Sequence, residues 1–249
     1  MSLRHRVLAL YRQIWQTYRA WFPQLLALAL IIFLPLGLID ALTAHVDVDS
    51  LDLASGVEIA AVFLAVAVLT TTGLLGEIFF SGAIAISLTH PHGEGPPPLR
   101  ELARRIRYGQ LVLVDVGFVV IVSAGLLLGV VPGLLAFVFL GLAGPVVEME
   151  HRGAWDALKR SARLVRGSFW LVFWVVVPIE VAGDGIGQGV ASLVHRLLGE
   201  SFVGEWLAEG LSDVLLSPVF AIGAVLLTVE VIARKEGAAP ALRTAPVPA

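Results

Sequence analysis

Long apolar runs alternate along this chain with short segments in which basic and apolar positions recur at helical spacing. A run needs about 20 apolar residues, at ~1.5 Å each, to cross a ~30 Å hydrocarbon layer. Residues 21–42 meet that length, and residues 57–89 read as one longer helix in which "TTTG" at 70–73 permits a bend. Residues 108–150 are too long for one crossing and carry "GVVPG" at 129–133. Proline cannot continue the hydrogen-bond ladder and glycine suits a turn, so the pattern predicts two crossings in a tight hairpin. A fifth crossing covers residues 168–182. "GDGIGQG" at 183–189 then predicts an interruption, with residues 186–198 lying along a membrane surface and residues 211–232 forming the sixth crossing.

The intervening segments are amphipathic. From Trp155, apolar residues recur at Leu158, Ala162 and Val165, while Lys159, Arg163 and Arg166 form a second stripe. In "PPPLRELARRIRYGQL", Leu99, Leu102, Ala103 and Ile106 oppose Arg100, Arg104 and Arg107. Near the start, Val7, Tyr11, Ile14, Trp15 and Tyr18 oppose Arg12, Gln16 and Arg19. Each basic segment feeds an outgoing apolar run. The expectation is a unit used three times: surface helix, span out, span back.

Composition agrees with a membrane chain. Hydrophobic residues make up 57%, charged residues 15%, and mean hydropathy is +0.87; a soluble domain carries about 25% charged residues. There is no cysteine, hence no disulfide framework and no thiolate chemistry. The first apolar run follows a long amphipathic segment, and "ALTA" at 41–44 is a poor cleavage site, which predicts a retained anchor rather than a signal peptide. With six crossings, Arg196 alone of the 17 basic residues falls on the side opposite the others, which instead carries Asp47, Asp49, Asp52, Asp184, Glu200 and Glu205. Lys and Arg concentrate in cytoplasmic loops, so both termini are expected to be cytoplasmic. The chain divides into a six-span domain at 1–236 and a tail at 237–249, rich in alanine and proline without apolar periodicity and expected to be disordered.

Two segments resemble a known family. Phe33-Leu34-Pro35-Leu36 ends the first crossing, and "LAGPVVEMEHRGAWDALKRSARLVRGSFWLVF" joins the fourth and fifth. Together they resemble the bacterial membrane-domain family named after glycerophosphoryl diester phosphodiesterase, allied to the YciC-like integral membrane proteins. The second segment is the more specific, through Pro145, Glu148, Gly153, Ala157, Leu158, Arg160, Ser161, Leu164, Val165, Arg166, Gly167, Phe169 and Trp170. The resemblance implies a six-span helical fold and no defined activity. His151-Arg152-Gly153 matches the triplet that opens the phosphodiesterase domain itself. Here "AWDALKRS" follows instead of a metal-binding continuation, and the chain has no room for a barrel of about 250 residues, so the triplet reads as coincidence.

Four acids lie in or near apolar runs: Glu77, Asp115, Glu180 and Glu230. A charge at mid-bilayer costs about 2.5–3.5 kcal/mol on insertion scales, which makes such residues candidates for a polar site. They would serve a proton or cation path, or simply bond to neighbouring hydroxyls and backbone. Metal binding is disfavoured, because His90 and His92 have only Glu94 nearby and a catalytic zinc needs three protein ligands. Ser161 and His151 lack a third partner for nucleophilic catalysis. Nucleic-acid binding is disfavoured as well, since each basic stripe is opposed by an apolar one that must be buried; a headgroup region accepts both faces. Arg100, Arg104, Arg107, Lys159, Arg160, Arg163, Arg166, Trp155 and Trp170 are therefore the candidate contacts to anionic lipid or to a partner.

The sequence thus predicts an all-α polytopic bundle of six transmembrane helices with amphipathic cytoplasmic surface helices, in the bacterial cytoplasmic membrane. The expected role is non-enzymatic and needs no cofactor: a scaffold or accessory factor in envelope or lipid homeostasis, touching membrane lipids, with a membrane-protein partner or a second copy as further contacts. The alternative is a small transporter or proton/cation-coupled carrier using Glu77 and Asp115.

Overall fold

The computed structural model describes residues 2–44, 76–89, 99–199 and 201–237. The described residues are helical throughout, without strands: α1 Leu3–Ala44, α2 Glu77–Thr89, α3 Leu99–Arg105, α4 Tyr108–Leu128, α5 Val130–Leu140, α6 Ala143–Met149, α7 Ala154–Arg166, α8 Phe169–Leu198 and α9 Phe202–Glu236. Among the described residues, five stretches are long and apolar enough to cross a membrane: Leu3–Leu38, Tyr108–Leu128, Val130–Met149, Phe169–Leu198 and Phe202–Glu236. The shorter apolar α2 covers 13 residues, about 20 Å at ~1.5 Å each. The "TTTG" bend, the acids at 47, 49, 52 and 200, the histidines at 90 and 92, and the tail from 238 onward lie outside the described residues.

The first surface helix and the first crossing are one element. α1 runs 42 residues without a break, roughly 63 Å at ~1.5 Å per residue. It contains Pro23 and Pro35, each of which removes one bond of the ladder and sets its ring against the carbonyl four residues earlier. α1 runs antiparallel along α9, which supplies the compensating contacts. Trp206 Nε1 donates to the Leu34 carbonyl at 2.8 Å, and Tyr18 donates to the Leu215 carbonyl at 3.2 Å. Gly37 meets Gly210 so closely that a Cβ on it would lie 3.1 Å from the Gly210 nitrogen.

The hairpin expected at 129–133 is present. Gly129 has φ 136° and separates α4 from α5. Pro132 lies in the first turn of α5, where backbone N–H groups have no helical partner to lose. The interruption expected at 183–189 is absent: α8 continues through all four glycines to Leu198, and α9 begins at Phe202 rather than near residue 211. Glycine in a helix interior costs about 1 kcal/mol relative to alanine. Packing on α9 offsets this, with the Ser212 hydroxyl donating to the Gly187 carbonyl at 3.2 Å. Residues 186–198 are therefore the far end of a 30-residue helix and not a separate surface segment.

Of the helix expected over 57–89, residues 57–75 lie outside the described residues, and the described part begins at Glu77, after Gly76 with φ 93°. α2 starts there in the interior of the bundle, packed on α6, α9 and α4. The core is continuous through these contacts; Phe33 and Phe80, both fully buried, meet edge to face at 5.4 Å.

Candidate functional site: a basic end and an acid-lined cavity

One end of the bundle is knitted together by the amphipathic segment that follows α6. The apolar stripe of α7 is buried, but against α4, α5 and α6 rather than left to a headgroup layer. Ala157, Leu158, Ser161, Leu164 and Val165 form that buried face, and the Ser161 hydroxyl donates to the Phe139 carbonyl at 2.8 Å. The Gln110 side chain accepts from the Ala154 N–H at 2.7 Å, closing the start of the helix. His151 takes a φ of 53° in the preceding turn, and its Nδ1 lies 2.7 Å from the Glu148 carbonyl. The His-Arg-Gly triplet is thus a connecting turn.

The basic residues divide into two groups. Arg160, with a side chain 14% exposed, bridges Glu150 at 2.8 Å and also pairs with Glu236. Arg107 donates from its backbone to Glu148 at 3.0 Å and from its guanidinium to the Arg152 carbonyl at 3.0 Å. These two hold loops and helix ends in place. Lys159, Arg163 and Arg166 instead project outward with Trp155, forming an exposed ridge along α7. Lys159 stands over the Trp155 ring at 5.0 Å, a cation–π distance. Trp170 is more than half exposed on the first turn of α8. Arg100 and Arg104 are exposed on α3.

The Glu150 carboxyl is pulled in two directions. Burial acts to raise its pKa, but hydrogen bonds from Arg160 and Arg152 outweigh that and hold it below the ordinary value. A depressed folded-state pKa contributes stability that is complete above the unfolded value of about 4.3 and is lost as pH falls through the depressed one. Acid unfolding followed by tryptophan fluorescence should therefore show stability falling across that window. Arg160→Gln should shrink this pH-dependent component, leaving the part that Arg152 supplies; an unchanged acid limb in that variant would count against the pairing.

The four candidate acids do not act alike. Asp115, nearly buried on α4, accepts from the backbone N–H of Gly76 at 2.6 Å and of Ile78 at 3.3 Å. It caps α2 from a neighbouring helix, satisfying N–H groups that the first turn of a helix cannot satisfy itself. Glu230 lies half-buried on α9, away from the other three. Glu77 and Glu180 face a shared cavity of about 530 Å³, together with Asp184 and Asp213. Its walls come from α2, α4, α5, α8 and α9. Ser217 donates to Oε1 of Glu77. The other oxygen, Oε2, is buried and accepts no hydrogen bond among the described residues.

Asp184, Asp213 and Ser217 were not singled out from the sequence as members of a site. The available signal was Glu180, Asp184 and Gln188 at successive four-residue steps, a polar stripe that also requires the helix to continue through the glycines. No three Asp, Glu or His side chains among the described residues come together as a metal site. Neither a protein-family model nor a curated protein nor a solved structure matches the chain.

Proposed function

We infer that this chain is a non-enzymatic, six-span protein of a bacterial cytoplasmic membrane that acts as a scaffold or accessory factor in envelope or lipid homeostasis, holding anionic lipid at a basic cytoplasmic end. The observation that supports this reading is the ridge of Trp155, Lys159, Arg163 and Arg166, left exposed because the opposite face of α7 is consumed by the bundle. A helix fixed in this way presents its charges without first having to fold on the surface, so little ordering cost opposes lipid binding. Five long apolar helices support five of the crossings, the apolar sequence at 57–89 is read as the remaining one, and the asymmetry of Lys and Arg supports the orientation. The family resemblance belongs to this proposal too. Its motif residues Glu148, Arg160 and Ser161 serve the joint between helices, which favours a scaffold over an enzyme.

The test is lipid retention. The full chain is purified from vesicles that mix zwitterionic and anionic lipid, and the retained lipid is quantified by mass spectrometry. Each basic residue near an anionic surface is worth about 1 kcal/mol. Changing Lys159, Arg163 and Arg166 together to glutamine should abolish most of the anionic enrichment. The wild-type enrichment should itself decline with salt, since exposed charges are screened over about 8–10 Å at 0.10–0.15 M. Equal enrichment in the wild type and the triple variant would defeat the reading.

A further inference from the structure

The acid-lined cavity lies away from the basic end. Val122 and Leu126 contribute to it from the far part of α4, some 20–30 Å along the helix from Arg107 at ~1.5 Å per residue. Among the described residues, four that bear a carboxyl group line it and no lysine or arginine does. A cluster of acids alone is unremarkable; the decisive detail is Glu77. It lines the cavity although only 7% exposed, the Ser217 hydroxyl fixes one of its oxygens, and its other oxygen is buried without a donor among the described residues. A buried acceptor left in that state is unfavourable, more so if charged, so the carboxylate gains by turning its free oxygen toward a donor held in the cavity.

We propose that this cavity binds a small organic cation, an ammonium group with an apolar body, with the Glu77 carboxylate as its principal anchor. The chemistry of the walls selects this class. A bare metal ion would require several oxygen ligands converging at one point, and no three acids converge among the described residues. The remaining lining is mostly apolar, Val122, Leu126, Val177 and Leu216 among it, with the polar Gln188 and Ser212 and with Phe137 and Phe220, whose ring centroids are 5.9 Å apart. Apolar surface buries the body of such a ligand, and aromatic faces attract an ammonium group further. The volume falls in the ~300–1,000 Å³ range that accommodates small organic molecules. Glu180, Asp184 and Asp213 add negative potential that low-dielectric walls focus on the cation. The site owes nothing to the lipid ridge, and each proposal stands if the other fails.

Binding is measured on the full chain in nanodiscs, with radiolabelled benzylammonium, whose N–H groups can donate, as probe and its uncharged isostere ethylbenzene as competitor. The wild type should bind the cation saturably, and ethylbenzene should displace it poorly. Glu77→Gln should weaken binding about tenfold or more, as expected when one partner of a desolvated charge pair is lost. Glu230→Gln, outside the cavity, should bind like the wild type. Asp184→Asn tests the electrostatics at an exposed side chain whose replacement leaves the core untouched, and should weaken binding a few-fold; it carries the test if Glu77→Gln fails to fold. The proposal is overturned if the wild type shows no saturable binding, as it would if the cavity took up only a proton. It is equally overturned if the neutral isostere competes as well as the cation, or if folded Glu77→Gln, or Asp184→Asn in its place, binds with wild-type affinity.

Discussion

Asp115→Ala should cost this protein about 2–6 kcal/mol of stability, enough to deplete the folded form in mild detergent. The substitution leaves the N–H groups of Gly76 and Ile78 in the interior without their acceptor, and each buried unsatisfied group costs about 1–3 kcal/mol. Water cannot easily repair the loss, because Asp115 is only 5% exposed. Asp115→Asn keeps one acceptor oxygen and should fall between alanine and the wild type. Glu77→Gln retains the oxygen that accepts from Ser217, so it should be the mildest of the three. Unfolding by titration with a denaturing detergent, followed by tryptophan fluorescence, ranks them. Asp115→Ala within ~0.5 kcal/mol of the wild type would show that α2 does not depend on this cap. The ranking also separates the two acids that the sequence groups as one candidate site: Asp115 holds a helix end, while Glu77 faces the cavity.

That separation marks how far the sequence can be read. Apolar run lengths identify a helical membrane-type chain, and "GVVPG" locates the hairpin, because both depend on local backbone rules. The stripe from Trp155 to Arg166 is legible as an amphipathic helix, yet periodicity reports only that one face is buried and not what covers it. The covering surface is α4, α5 and α6, contributed by residues distant in sequence. The same gap explains Arg160, which reads as one more basic residue of the stripe until Glu150 and Glu236 are brought beside it. The two boundary errors share a cause. Four glycines suggest a break at 183–189, but a neighbouring helix overrides weak local propensity. An uninterrupted apolar run suggests continuity across Gly76, but a carboxylate on α4 can cap a helix that begins there.

The second large effect is steric. Gly144 on α6 sits where α2 crosses it, and a Cβ placed there would fall on the Ile78 carbonyl oxygen and the Ser81 hydroxyl. Gly82 approaches from the other side, with its own Cβ position 3.2 Å from the Gly144 carbonyl oxygen. Small residues at such a crossing allow backbones to touch. Because a main-chain carbonyl blocks the way, no rotamer change can relieve the clash, and the helices must separate. Gly144→Val should therefore cost about 3 kcal/mol or more, beyond the usual overpacking range of 1–3 kcal/mol. Gly189→Ala is the control, since nothing lies within 4 Å of its Cβ position, and it should be neutral or stabilising by up to about 1 kcal/mol. Gly144 and Asp115 both act on the first turns of α2, one by close contact and the other by hydrogen bonds. Once α2 has been displaced by valine, the cap has little left to hold. The double variant should lose clearly less than the sum of the single losses, by more than the ~0.5 kcal/mol within which independent sites add. Strict additivity would mean that the crossing and the cap stabilise α2 separately.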